Sequence, residues 1–207
     1  MTNLLTILLV LFFSLNTYSH GSAGSIPNDE TSNRAINFPD TKQYKTLVTD
    51  LHTHSVFSDG HVWPNIRVGE ALRDGVDVLA VTEHLEYQPH RADIPNPDRN
   101  KSFIEAKAAA GNSDILVING SEITRNMPPG HINAVFIKDA NKLVKVDPSK
   151  EEEAQAELAK RLDEMRGRDR KVVDFFALAS MWPPEEAIQA ANDQDAFVFW
   201  NHPMWGS

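Results

Sequence analysis

Cysteine is absent from this 207-residue chain. The absence excludes disulfides, thiolate metal sites, a cysteine nucleophile and an amino-terminal lipid-modified cysteine. Any transition-metal site must therefore be built from nitrogen and oxygen donors, and the chain has eight histidines. Basic residues are also in deficit: 20 Lys and Arg stand against 29 Asp and Glu, a formal net charge of −9. That balance argues against a broad nucleic-acid surface, which needs clustered cations, but it allows a small local basic pocket. No GxSxG elbow is present, so there is no sequence sign of a serine nucleophile. Long apolar runs are missing too. Leu4 to Phe13, broken only by Thr6, is too short to span a bilayer. Small and polar residues follow it through Ser25. Residues 1–25 therefore read as a secretory signal peptide, although Met1-Thr2-Asn3 lacks the usual Lys or Arg. Export to the periplasm or medium is expected. Ser22 to Asn37 is rich in Gly, Ser, Asn and Pro, and residues 26–43 read as a flexible leader. The remaining length is enough for one domain with a sizeable core.

The first informative stretch is Asp50-Leu51-His52-Thr53-His54-Ser55, followed by Ser58-Asp59-Gly60. It leaves an apolar run, Leu47-Val48, as the exit of a buried strand would. In extended chain Asp50, His52 and His54 share one face, and two imidazoles so placed can converge on one ion. Pro64 and Gly75 then bracket a short helix with apolar Ile66, Val68, Ala71 and Leu72. Asp77 to Val81 is a strand with a continuous apolar centre, ending in Glu83-His84. Three prolines make Leu85–Asn100 a loop or flap. Lys101 to Ala110 is helical and stopped by Gly111. The strand Ile115–Ile118 runs into Gly120-Ser121-Glu122. Its link to His131–Ile137 is too short for a helical crossover, so the two form a hairpin and His131 lands near Glu122. Glu151–Arg166 is an amphipathic helix, with Ala154, Leu158, Leu162 and Met165 in one stripe. Lys171–Trp182 is ambiguous, Pro183-Pro184 opens another helix, and the strand Ala196–Trp200 exits at Asn201-His202-Pro203. Strand after strand thus ends in a candidate ligand, and the alternation with helices argues for βα units.

These motifs, in this order, resemble those of the polymerase and histidinol phosphatase (PHP) family: Asp50–Ser55 with Ser58–Gly60, Thr82-Glu83-His84, Gly120-Ser121-Glu122, Gly130-His131-Ile132-Asn133 and Asn201-His202-Pro203. The resemblance runs from Asp50 to Pro203. It implies a distorted (β/α)7 TIM-like barrel over residues 44–207 and a metal-dependent phosphoesterase that hydrolyses a phosphate ester with a metal-bridging hydroxide. Two or three divalent ions, Zn, Mn or Fe, are implied. His52 and His54 would hold the first with Glu122 bridging, Asp59 and His84 the second, and Glu122, His131 and His202 the third. Glu83 would orient a ligating imidazole. Arg91, Arg99 and Lys101, in or beside the flap, could meet a substrate phosphate or simply be solvated. His20, His61 and His90 lie outside the motifs. The substrate would be a small phosphorylated molecule, with no stable nucleic-acid partner. A histidinol-phosphate phosphatase-like enzyme and a non-catalytic metal-binding module are the alternatives. The family's later Asp-x-His pair has no counterpart here, so the chain reads as an amino-terminal part of a longer protein. Such a part would have unpaired sheet edges and a tendency to aggregate.

Overall fold

A computed structural model describes residues 38–125, 129–144, 156 and 183–203. The signal peptide, residues 26–37 of the leader, nearly all of the helix expected over Glu151–Arg166, and Lys171–Trp182 lie outside the described residues. Residues 38–43 are exposed and irregular. Among the described residues no helix is long and apolar enough to cross a membrane.

The elements run β1 (Thr49–Thr53), α1 (Pro64–Arg73), β2 (Val78–Val81), α2 (Lys101–Ala110), β3 (Leu116–Ile123), β4 (Ile132–Val135), a 3-10 turn (Ala140–Leu143), α3 (Pro184–Asn192) and β5 (Phe197–Trp200). The five strands form one sheet in sequence order. β1, β2 and β3 pair in parallel, whereas β4 is antiparallel to both β3 and β5. The fold is thus mixed α/β, with a reversal at β4 that the expected hairpin supplies. Because β4 alone runs backwards, the carboxyl ends of β1, β2, β3 and β5 and the amino end of β4 all face one way.

Period-two alternation on β2 divides the core. Leu79 and Val81 pack with Val68 and Ala71 of α1 and Ala106 and Ala110 of α2. Val78 and Ala80 turn the other way, towards Ile118, Val135, Leu51 and Phe199. α3 closes the far end through Ala187 and Ala191 on Ile123, Ala134 and Leu143. α1 starts and stops where Pro64 and Gly75 predict, with Gly75 at φ +74°. Its buried stripe is narrower than expected: Val68 and Ala71 are buried, but Ile66 and Leu72 are each 44% exposed.

The sheet is curled. In a flat sheet β1 and β4 would lie about 14 Å apart, at about 4.8 Å per strand. Yet Asn133 Nδ2 on β4 donates to Leu51 O on β1 at 3.1 Å. The rings of His52 and His202, from the two edge strands, stack at 5.6 Å between centroids. The five strands form an open half-barrel, compatible with part of a barrel, and the curl brings distant strand ends together.

Candidate metal centre

β1 delivers two imidazoles through a distortion. Its register with β2 shifts between Asp50 and Thr53, so Leu51 and His52 both stand against Ala80. Simple alternation therefore fails here: Leu51 packs inward while His52 reaches Glu122. Past the strand the chain turns tightly, with Ser58 N and Gly60 N both donating to Ser55 O. Gly60 is required by close approach. A Cβ there would stand 2.7 Å from both the carbonyl carbon and oxygen of His54, and 2.8 Å from Ser55 Cα. Gly60→Ala must push the segment carrying His54, Ser58 and Asp59. We expect it to cost about 1–3 kcal/mol, seen as a melting temperature lower by about 2–12 °C, with weaker metal binding in the same melts.

Glu122 lies inside β3, fully buried, opposite Asn133. The sequence places it past the strand end, but pairing with β4 prolongs the ladder to Ile123. Oε1 accepts from Asn201 Nδ2 at 3.0 Å and meets His131 Nδ1 at 3.0 Å and His202 Nε2 at 3.3 Å. Oε2 is buried without a hydrogen-bond partner among the described residues. Around it stand His52 Nε2 at 3.3 Å, His54 Nε2 at 3.1 Å and His84 Nδ1 at 3.1 Å. On the other side of His84, Nε2 is 3.4 Å from Asp59 Oδ2. All seven expected ligands, His52, His54, Asp59, His84, Glu122, His131 and His202, line one cavity of about 290 Å³.

The electrostatics favour a cation. Burial would raise the Glu122 carboxyl, but the imidazoles of His131, His52 and His54 outweigh it and hold the group far below the carboxylate range. Burial likewise opposes ionisation of Asp59, yet His84 pulls it down to about 2. For His54, burial lowers and Glu122 raises, and the net shift is upward. A pocket that draws a proton onto an imidazole at this point can draw a divalent ion to the same place.

The donor set fits one. Two ligand atoms about 2.1 Å from a shared ion, subtending about 90–110°, lie about 3.0–3.4 Å apart. His52 Nε2, His54 Nε2 and Glu122 Oε2 are mutually 3.0, 3.1 and 3.3 Å apart. Three sets of donors converge: His52, His54 and Glu122; His54, Asp59 and His84; His84, Glu122 and His131. The first coincides with the grouping implied by the resemblance. The second adds His54, and in the third His84 stands beside His131, while His202 meets the Glu122 carboxylate and stacks near His52 and His131.

Among the described residues Glu83 makes no hydrogen bond or ion pair with an imidazole. Its carboxylate accepts from Ser55 N at 3.0 Å and from the hydroxyls of Ser55 and Ser58. The flap cations stay out of the cavity lining. Arg99 Nη1 donates to Gln88 Oε1 and Asn96 O, and burial lowers its pKa to about 10. Lys101 Nζ sits 5.0 Å over the Phe57 ring; Arg91 is half-buried in the flap. Sequence reasoning assigned no role to Ser58, Thr124, Asn133 or Asn201. All but Thr124 belong to the motifs, but only the folded chain shows what their polar atoms meet.

No family model matches the chain, and no curated protein does. Solved structures do. A two-domain protein from Bacteroides vulgatus, containing a predicted PHP-like metal-dependent phosphoesterase, is 41% identical over 82% of this chain, with a TM-score of 0.62. This chain covers 39% of that protein's length. A metal-dependent phosphoesterase of Bifidobacterium adolescentis matches at 16% identity over 74% of this chain and 66% of its own, with a TM-score of 0.42. An amidohydrolase from Chromobacterium violaceum matches at 21% identity over 70% of this chain and 49% of its own, with a TM-score of 0.39. Its structural neighbours thus include a protein with a PHP-like metal-dependent phosphoesterase, and its own half-barrel gathers a His/Glu cluster that could bind metal.

Proposed function

We propose that this chain carries the metal-binding part of a PHP-type phosphoesterase acting on a small phosphorylated substrate. The observation that carries the reading is Glu122 Oε2: a buried carboxylate oxygen without a hydrogen-bond partner among the described residues, ringed by three imidazole nitrogens at 3.1–3.3 Å. Buried polar atoms are normally satisfied, and a carboxylate left without a donor is costly unless a cation completes it. His52, His54, Asp59, His84, Glu122, His131 and His202 would hold two or three divalent ions. Ions of this kind, Zn, Mn or Fe, supply a water acidified to near neutral pH and neutralise charge on a phosphoryl group. The chain's own contribution is to fix the donors. Asn201 Nδ2, held also by Asn133 Oδ1 at 2.8 Å, pins Glu122 Oε1. Asn133 ties this pair to β1 through Leu51 O.

The cavity, about 290 Å³, is at the lower end of small-molecule sites, which suits a small phosphate ester. The half-barrel belongs, in this reading, to a (β/α)7-type barrel, and residues 1–25 direct its export. The test is direct. The protein, loaded with Mn or Zn, should hydrolyse p-nitrophenyl phosphate and hold at least two ions per chain. His52→Ala should lower both metal content and rate. A variant that keeps full metal content and full rate overturns the assignment.

A further inference from the structure

Each imidazole in the cavity offers two nitrogens, and a neutral ring can present a lone pair from only one of them. At two of the histidines the surroundings decide which. His54 turns Nδ1 to Ser58 Oγ at 3.2 Å and Nε2 to the cavity, 3.1 Å from Glu122 Oε2. The Ser58 hydroxyl hydrogen is already given to Glu83 Oε2. An ionised carboxylate only accepts, so that hydrogen cannot be returned. Towards His54, Ser58 Oγ therefore presents lone pairs, and Nδ1 must carry the ring hydrogen. Ser58 and Glu83 are both buried, so water does not compete for these bonds.

The same logic recurs at His84 with different chemistry. Thr124 Oγ1 donates to the main-chain O of Glu122 at 3.1 Å and lies 2.7 Å from His84 Nδ1. With its hydrogen engaged by a carbonyl, the hydroxyl can only accept from the ring. His84 is thereby held with hydrogen on Nδ1, the nitrogen that also stands 3.1 Å from the acceptor Glu122 Oε2, and with a lone pair on Nε2 facing Asp59, so in this tautomer it serves an ion beside Asp59 and not one beside Glu122. Thr124 is itself fixed by its N–H, which donates to Glu86 Oε2 at 2.7 Å.

We propose that Ser58 and Thr124 are positioning residues that lock His54 and His84 in the Nδ1–H tautomer, so that both offer Nε2 to the ion cluster. Glu83 then acts on His54 through Ser58, beside the direct pull of its charge on the ring, and its role is to hold the serine hydroxyl in the orientation that makes it an acceptor. The proposal rests on the metal reading above. It goes beyond that reading by naming the two hydroxyls that decide which ring nitrogen is available.

The test uses the full chain, labelled with ¹⁵N and loaded with zinc, in wild-type, Ser58→Ala, Thr124→Val and Thr124→Ser forms. Long-range proton–nitrogen correlation spectra read the tautomer of each ring, and chelator competition reads zinc affinity. In the wild type, His54 and His84 should both show Nδ1–H. Ser58→Ala should disturb that signature at His54, and Thr124→Val at His84, each with zinc affinity about 10–100-fold weaker. Thr124→Ser, which keeps the hydroxyl, should restore both readouts. A merely structural role for the side chains would move stability without moving the ring signatures. Ser58→Ala and Thr124→Val act on different imidazoles, so each decides its own arm if the other fails to fold. Wild-type zinc uptake with both variants unchanged in tautomer and affinity would overturn the positioning role and leave the metal reading standing. No zinc uptake by the wild type would overturn the metal reading, and this proposal with it.

Discussion

Glu122→Gln is expected to empty the cavity of at least one ion per chain and to lower phosphoester hydrolysis by about 1,000-fold or more, as loss of several kcal/mol of charge stabilisation implies. The substitution is nearly isosteric. Glutamine can still accept from Asn201 at Oε1, and its amide could lie where Oε2 does. What it removes is the charge and the second oxygen lone-pair set, the two properties a bridging ligand needs. The neighbouring rings of His52, His54 and His84 would then face an amide at 3.1–3.3 Å. Metal content by elemental analysis and turnover of p-nitrophenyl phosphate provide the check, with circular dichroism confirming the fold. Unchanged ion content together with unchanged turnover would show that Glu122 is a structural acid in a histidine cage and holds no metal.

The second large effect concerns the layer beneath the site. Arg125 Nη1 contacts Glu86 Oε1 and donates to Thr124 O at 2.8 Å; both charged residues are buried. Removing one partner of a buried pair leaves the other uncompensated. Arg125→Ala should therefore cost about 3–5 kcal/mol, a fall of about 6–20 °C in melting temperature. The pH dependence has a definite sign. Burial raises the Glu86 carboxyl above its ordinary 4.5, against the pull of Arg125. Without the guanidinium it rises further. An acid with a raised folded pKa destabilises the native state once ionised, so the penalty should be smallest near and below 4.5 and grow as pH rises. Adding Glu86→Gln should recover much of the loss at neutral pH. Melting curves of the single and double variants across pH measure this, and a pH-independent, additive loss would contradict it. Thr124 bonds to Glu86 and His84 alike, so the pair also steadies the imidazole above it.

How much of this could be read beforehand varies with the kind of interaction. Apolar runs bounded by Pro and Gly marked α1, β2 and α2 almost to the residue, because local propensity and burial agree there. The short link between Glu122 and His131 disclosed the hairpin. Three features were not legible. β3 extends through Glu122 because β4 pairs with it, and pairing is a property of two segments. The register shift in β1 breaks the alternation that would set Leu51 against His52. Ser58 and Thr124 matter through where a hydroxyl hydrogen points, which neighbours far along the chain decide. Ile66 and Leu72 show the converse error, an apolar pattern read as a wider buried stripe than α1 presents.

The reversal at β4 has a consequence for assembly order. Glu122 and His131 are separated by nine residues, while Asn201 reaches Glu122 across 79. Closing the longer loop costs about 2 kcal/mol more chain entropy. The acid and its nearest imidazole can therefore meet in an early hairpin, before the strand bearing Asn201 and His202 docks. An ion present during refolding would find a partial ligand set first and the fuller set only after that strand docks, so its binding should slow unfolding more than it speeds closure, as stopped-flow refolding and unfolding with and without zinc would show.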